Sequence, residues 1–252
     1  MPLPAHYLGK PITLNRWRHG VAAMFFRQFL EPSSSTLTYL LADPMTGDAV
    51  IIDPVLETVE RDVQNIRDLG LTLRWTLETH VHADHITGAS ALKDRLGCKT
   101  AASVHAGLDC ADRALVHGDR VAFGQYALTV VETPGHTLCS VSYLTDSPHR
   151  MAFTGDALLI RGCGRTDFQN GSATILHQSI HREIFRLPDD TTVYPGHDYK
   201  GRTASTVGEE RRLNPRLTKT EAEFVALMAE LNLPRPKLID VAVPANLQCG
   251  RL

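Results

Sequence analysis

The apolar positions of this chain change period along its length, and each change predicts an element. Residues 36–42 and 49–53 are short apolar runs joined by the turn-rich Asp43-Pro44-Met45-Thr46-Gly47-Asp48, which predicts two strands. Between Leu56 and Leu69 the pattern switches. Val59, Val63, Ile66 and Leu69 recur at intervals of 4, 3 and 3, the period of a helix burying one stripe, and Gly70 stops it. Residues 73–78 return to a strand pattern, and 86–96 predict a helix closed by Gly97, with Asp84 and His85 at its start. Further strands are expected at 126–132, 141–144, 151–154 and 191–194. A helix over 174–187 buries Ile175, Ile180, Ile184 and Leu187, and one over 220–231 carries Phe224, Leu227, Met228 and Leu231 as core or subunit interface. Beyond it, Pro234, Pro236 and Pro244 predict a broken tail. Strands and helices alternate without a strict βαβ rhythm, so an α/β fold of two sheets between helices fits better than one doubly wound sheet.

Placed on those elements, the polar residues become informative. The strand at 73–78 runs into Thr79-His80-Val81-His82-Ala83-Asp84-His85, three histidines and an aspartate within six positions. Imidazole and carboxylate together suit zinc or non-haem iron rather than calcium or magnesium. Three more candidates follow strands, each after a glycine that lets the backbone turn sharply: Gly135-His136, Gly155-Asp156 and Gly196-His197. Each pair alone is an ordinary turn. Together they put every candidate ligand at one edge of the sheets. By identity, these seven side chains also suffice for a dinuclear zinc hydrolase with a bridging water.

Composition narrows the partners. At 252 residues one large domain is favoured over two small ones. The 26 Lys+Arg against 28 Asp+Glu give a net charge of −2, with no electrostatic footprint for nucleic acid and no polybasic membrane patch. No apolar run approaches the roughly 20 residues that span a bilayer. Five scattered cysteines without a C-x-x-C pair suit reduced thiols better than a disulfide framework. The first 30 residues hold Lys10, Arg16, Arg18 and Arg27 and no acid, which fits a transit peptide, but Pro2, Pro4 and Pro11 favour an ordinary extension.

The ordered set His80-x-His82-x-Asp84-His85, His136, Asp156 and His197 resembles the metallo-β-lactamase superfamily, which implies an αββα sandwich with its metal site at one sheet edge. Within it, Gly155-Asp156-Ala157-Leu158-Leu159-Ile160-Arg161-Gly162-Cys163-Gly164-Arg165-Thr166-Asp167-Phe168 closely resembles the signature of the persulfide dioxygenases, also called sulfur dioxygenases or ethylmalonic encephalopathy proteins. Ile52-Asp53-Pro54-Val55, Leu213-Asn214-Pro215-Arg216-Leu217 and Val243-Pro244-Ala245-Asn246 look like the same family. The resemblance runs from about Met24 to the end, so residues 1–23 are an N-terminal extension and 24–252 the catalytic domain.

The resemblance implies one Fe(II) held by His80, His136 and Asp156, with glutathione persulfide and O₂ as reactants and sulfite and glutathione as products. It leaves His82, Asp84, His85 and His197 as hydrogen-bond partners that orient ligands, or as holders of a second metal. Arg165, Tyr199, Lys200 and Arg216 are the candidates for binding the carboxylates of glutathione. Cys163 has no evident base beside it and reads as structural or oxidation-prone, and Cys139 as packing. The same resemblance places a bacterial chain in the cytoplasm and a eukaryotic one in the mitochondrial matrix, and leaves a homodimer open. The rival reading is a glyoxalase II-like dinuclear zinc hydrolase of glutathione thioesters, although only some 55 residues follow His197 here.

Overall fold

A computed structural model describes residues 23–251, so the expected extension lies outside the described residues apart from Ala23. The first sheet holds β1 (Phe25–Glu31), β2 (Thr36–Ala42), β3 (Asp48–Ile52), β4 (Thr72–Leu77), β5 (Lys99–Ser103) and β6 (Arg113–Leu115), neighbours in that order. The second holds β7 (Arg120–Phe123), β8 (Tyr126–Glu132), β9 (Val141–Thr145), β10 (Met151–Gly155), β11 (Thr192–Pro195) and β12 (Ser205–Thr206), again in sequence order. β3 to β6 pair in parallel, as do β10 and β11, while the other pairs are antiparallel.

Alternation along β2 shows how the layers are built. Leu37, Tyr39 and Leu41 pack between the sheets against Val130, Tyr143 and Phe153. Leu40 and Ala42 face the other way, onto α1 (Val59–Asp68) and α2 (Ala89–Leu96) through Val63, Ile66 and Leu92. The second sheet is covered by α3 (Ala173–Ser179), α4 (Val207–Leu213) and α5 (Glu221–Ala229), where Leu176, Val207, Phe224 and Met228 pack on Val193. The result is the expected αββα sandwich. Phe224 and Met228 are core, not a free interface stripe.

Several expectations need correction. Asp84 and His85 lie in a loop, because helix α2 begins only at Ala89. Residues 86–88 are drawn into pairing with the 54–56 segment instead, through Leu56 N–H to Ile86 O and Gly88 N–H to Pro54 O. Ile175 is exposed and Leu176 takes its place. The buried residues Leu176, Ile180 and Ile184 lie four apart, and the wider π-turn at Ile180–Ile184 keeps them on one face. The tail is not broken throughout. Helix α6 (Ile239–Asn246) contains Pro244, whose lost hydrogen bond involves Asp240, both at exposed positions, while Ala242 and Ala245 pack on Ile86. The thiols are not all reduced: Cys110 and Cys249 form a disulfide with Cα atoms 6.0 Å apart. Their separation of 139 residues left no local spacing to read. Cys98, Cys139 and Cys163 are free and buried. Among the described residues, no helix is long and apolar enough to cross a membrane.

Candidate metal centre

The loops after β4, β8, β10 and β11 meet at one edge of the sandwich, and backbone bonds join the sheets there. Val141 N–H donates to Thr79 O at 2.8 Å, and Leu37 N–H to Gly196 O at 2.8 Å. Gly155 has φ 49°, and a Cβ on it would lie 2.5 Å from Thr79 Oγ1. Gly135 has φ 132° and sits against the Leu176 backbone, where a Cβ would clash at 2.3 Å. Only glycine lets these two loops close on the site.

One ligand atom each of His80, His136 and Asp156 lie within 4.8 Å of one another. The tautomers of both histidines follow from their neighbours. His136 Nδ1 donates to Arg165 O at 2.7 Å, which leaves Nε2 as a lone pair. Thr79 Oγ1 donates to Asp53 Oδ2 at 2.8 Å and therefore accepts from His80 Nδ1 at 3.0 Å, so His80 also offers Nε2. Burial and the adjacent His82 and His136 push His80 well below the usual imidazole range, and it stays neutral. Burial favours the protonated acid at Asp156, but the charge and hydrogen bond of His197 hold it well below the usual carboxylate range. Two imidazole nitrogens and one carboxylate oxygen fit a non-haem iron or a zinc ion.

Each of the remaining histidines is bonded to a carboxylate through at least one ring nitrogen. His82 Nε2 donates to Asp53 Oδ1 at 3.1 Å and lies 3.4 Å from Glu78 Oε2. Burial opposes charge on His82, yet the two carboxylates hold it well above the ordinary range. His197 donates through Nδ1 to Asp156 at 2.6 Å and through Nε2 to Asp84 at 2.9 Å, so both nitrogens are occupied. His85 Nδ1 donates to Asp84 at 3.0 Å. The Thr36 hydroxyl touches Asp84, His85 and His197 together. His82 Nδ1 and His85 Nε2 are buried without a partner, and His82, Asp84 and His85 form a second group within 4.8 Å. Sequence reasoning missed Thr36, Asp53, Thr79 and Glu78, all supports of ligands. Only Asp53 carried a signal, in its Asp-Pro pair at a strand end.

The first group opens on a cavity of about 580 Å³ that His80, His136, Asp156, Asp84 and His197 line and His82 and His85 do not. Arg165, Tyr199, Lys200 and Arg216 all reach its wall. They differ in what they offer. Arg165 donates with Nε and Nη2 to Asp167 and with Nη1 to Pro234 O, all at 2.7 Å, and stacks on Phe168. Arg216 uses only Nη1, toward Cys163. Tyr199 is 72% exposed and lies flat on the His197 ring. Burial pushes the Cys163 thiol up to about 11, so it is no thiolate at neutral pH.

Residues 34–197 match the metallo-beta-lactamase superfamily. Over 230 residues the chain is 54% identical to the human mitochondrial protein named persulfide dioxygenase ETHE1, covering 91% of this chain and 90% of that one. The crystal structure of ETHE1 from Myxococcus xanthus matches with a TM-score of 0.87 at 55% identity, covering 90% of this chain and 100% of the other. A hydroxyacylglutathione hydrolase from Rhizobium johnstonii is 33% identical, covering 82% of this chain and 79% of its own length. On this likeness, and on a site edge built as that superfamily requires, the chain belongs to the persulfide dioxygenase family of the metallo-beta-lactamase superfamily.

Proposed function

We propose that this chain is a glutathione persulfide dioxygenase holding one Fe(II) on His80, His136 and Asp156, within a catalytic domain of residues 24–252. The observation that carries the reading is the opening of all three of these side chains onto the large cavity, while of the second group only Asp84 reaches it and the nitrogens of His197 are both engaged. Two imidazoles and one carboxylate form the facial set that leaves positions for reactants. Fe(II) held there supplies the one-electron chemistry that O₂ requires. The net reaction converts glutathione persulfide, O₂ and water to glutathione, sulfite and two protons.

The chain's own residues bind and orient. The guanidinium of Arg216 beyond Nη1, and the Lys200 ammonium, are placed for the carboxylates of glutathione. Tyr199 adds an exposed ring at the mouth. Arg165 acts mainly by fixing the Leu233–Pro234 wall. Leu159, Ile160, Phe168 and Pro236 give the cavity an apolar side that excludes water from the persulfide end. His197 holds a proton between Asp156 and Asp84 and so fixes the carboxylate's orientation.

The test is direct. Anaerobically purified protein should carry about one iron per chain, consume O₂ with glutathione persulfide and release sulfite. Rapid hydrolysis of S-lactoylglutathione without O₂ uptake, on protein holding two zinc ions, would replace this reading with the hydrolase. A cytoplasmic or mitochondrial-matrix location is proposed with the activity, and fractionation of the source cells checks it.

A further inference from the structure

Asn246 is buried at the end of α6, and its whole side chain serves the histidine loop 161 residues away in sequence. Its Nδ2 donates to His82 O at 2.9 Å and to His85 O at 2.8 Å, and its Oδ1 accepts from Thr87 N–H at 2.8 Å. An amide is one of few side chains with two donors and an acceptor. Residues 82–85 belong to no helix or strand, so Asn246 sets their course together with the 54–56 segment that pairs with 86–88. The segment that carries Asn246 is then fastened twice. Ser90 N–H donates to Cys249 O at 3.1 Å, and Cys249 is bonded to Cys110, which sits in a partly exposed turn. A water-sized cavity of about 10 Å³ has His80, His82, Thr87, Asn246 and Cys249 in its walls, so the disulfide and the histidine loop border one void.

We propose that Asn246 is a positioning residue for the metal centre and that the Cys110–Cys249 disulfide is a thiol-responsive clasp on it. This rests on the metal reading above and concerns how that metal is retained. A low-molecular-weight thiolate attacks Sγ of the partly exposed residue Cys110 and forms a mixed disulfide there. The Cys110–Cys249 bond breaks, and its electron pair leaves on Cys249 as thiolate. A second thiolate attacks the outer sulfur of the mixed disulfide, freeing Cys110 as thiolate and releasing the oxidised small disulfide. Two thiols are oxidised and one protein disulfide is reduced. The reductant belongs to the class of the product of the proposed reaction, so accumulated product thiol loosens the loop that follows His80.

The experiment uses the whole chain loaded with Co(II), whose visible bands report ligand geometry without turnover. Wild type and Cys110→Ser are compared with and without a phosphine reductant, with free thiols counted. Asn246→Ala is compared alongside. Asn246→Ala should bind Co(II) roughly 10–100-fold more weakly, with shifted bands, as expected for an outer partner of a ligand loop. Reduced wild type should release Co(II) to a chelator faster than oxidised wild type. Cys110→Ser should match the reduced protein and ignore the reductant. Reduction confirmed by thiol count with unchanged bands and release rate overturns the clasp, and needs no variant to fold. Wild-type bands and affinity in Asn246→Ala overturn the positioning role. No Co(II) binding by wild type in either redox state instead removes the metal reading itself.

Discussion

The two histidine groups of the centre differ in what lies behind each ring and in front of it. His80 and His136 are each braced through Nδ1 by a neutral oxygen, Thr79 Oγ1 or Arg165 O, and present Nε2 near Asp156 at the cavity. His82 and His197 are braced by carboxylates, Asp53 and Glu78 for the first and Asp156 and Asp84 for the second. A neutral acceptor fixes a tautomer and leaves a lone pair. At His82 and His197 the carboxylates favour the imidazolium, which has none, whereas burial and the nearby His82 hold His85, on Asp84 alone, below the ordinary range. One ligand inventory thus yields one open group and one tied group, because the partners of the rings differ and not the rings.

Substitution of the ligands themselves should break this comparison hardest. His80→Ala, His136→Ala and Asp156→Ala should each abolish iron retention, measured on anaerobically purified protein. His197→Ala should keep most of its iron and lose roughly 10–100-fold in affinity or activity. If His197→Ala strips iron as fully as His136→Ala, the division into open and tied groups is wrong.

Asp53 comes next, because both groups lean on it. It accepts from Thr79 N–H and Oγ1, which orient His80, and from His82. Removing one member of such a buried pair costs about 3–5 kcal/mol. Asp53→Ala should therefore lose stability of that order in urea unfolding and lower iron affinity together. A full stability loss with wild-type iron affinity would leave Asp53 a fold residue with no influence on the open group.

The contrast between these groups also explains what was legible in the chain. The ligands cluster in sequence or repeat a strand-Gly-ligand pattern, so they stood out. Their braces do not: Asp53 meets His82 across 29 residues and Asn246 meets it across 164, with no periodicity to mark either. Strands followed the same logic. Thr36–Ala42 and Tyr126–Glu132 were readable to the residue from their apolar runs. The half-buried edge strand β1, the small-residue β5 (Lys99–Ser103) and the three-residue β6 lack that signal and exist through pairing with neighbours.

At the cavity wall the same distinction between engaged and available groups separates two arginines. Arg216→Gln removes a guanidinium with donors to offer, and a lost charged hydrogen bond costs about 1.5–3 kcal/mol, a roughly 10–150-fold fall in kcat/KM. Most of it should appear as raised KM with iron content intact, since the contact is remote from the reacting sulfur. Arg165→Gln should instead lower the melting temperature and leave KM near normal, because its donors already serve Asp167 and the 233–234 carbonyls. The reverse pattern would exchange their roles.

The smallest effect is expected at Glu31, where contacts from the tied group run out. Its carboxylate accepts from the Ser33 and Ser34 N–H groups and the Ser34 hydroxyl, and Ser34 meets Thr36, which touches His197. Burial alone raises the carboxyl, but these donors outweigh it and bring the pKa from 4.5 down to about 2. A carboxylate made more acidic by folding contributes fully above its ordinary pKa and loses that contribution as pH falls through the folded value. The whole shift corresponds to about 3 kcal/mol. Glu31→Gln keeps one acceptor, so a cost of about 1–2 kcal/mol is expected at pH 7. Urea unfolding of both proteins at pH 7, 4.5 and 2.5 should show the gap narrowing between pH 4.5 and 2.5, with iron content at pH 7 unchanged. A gap independent of pH would mean that Glu31 acts by packing alone, and that the electrostatic bracing of the tied group ends at Thr36.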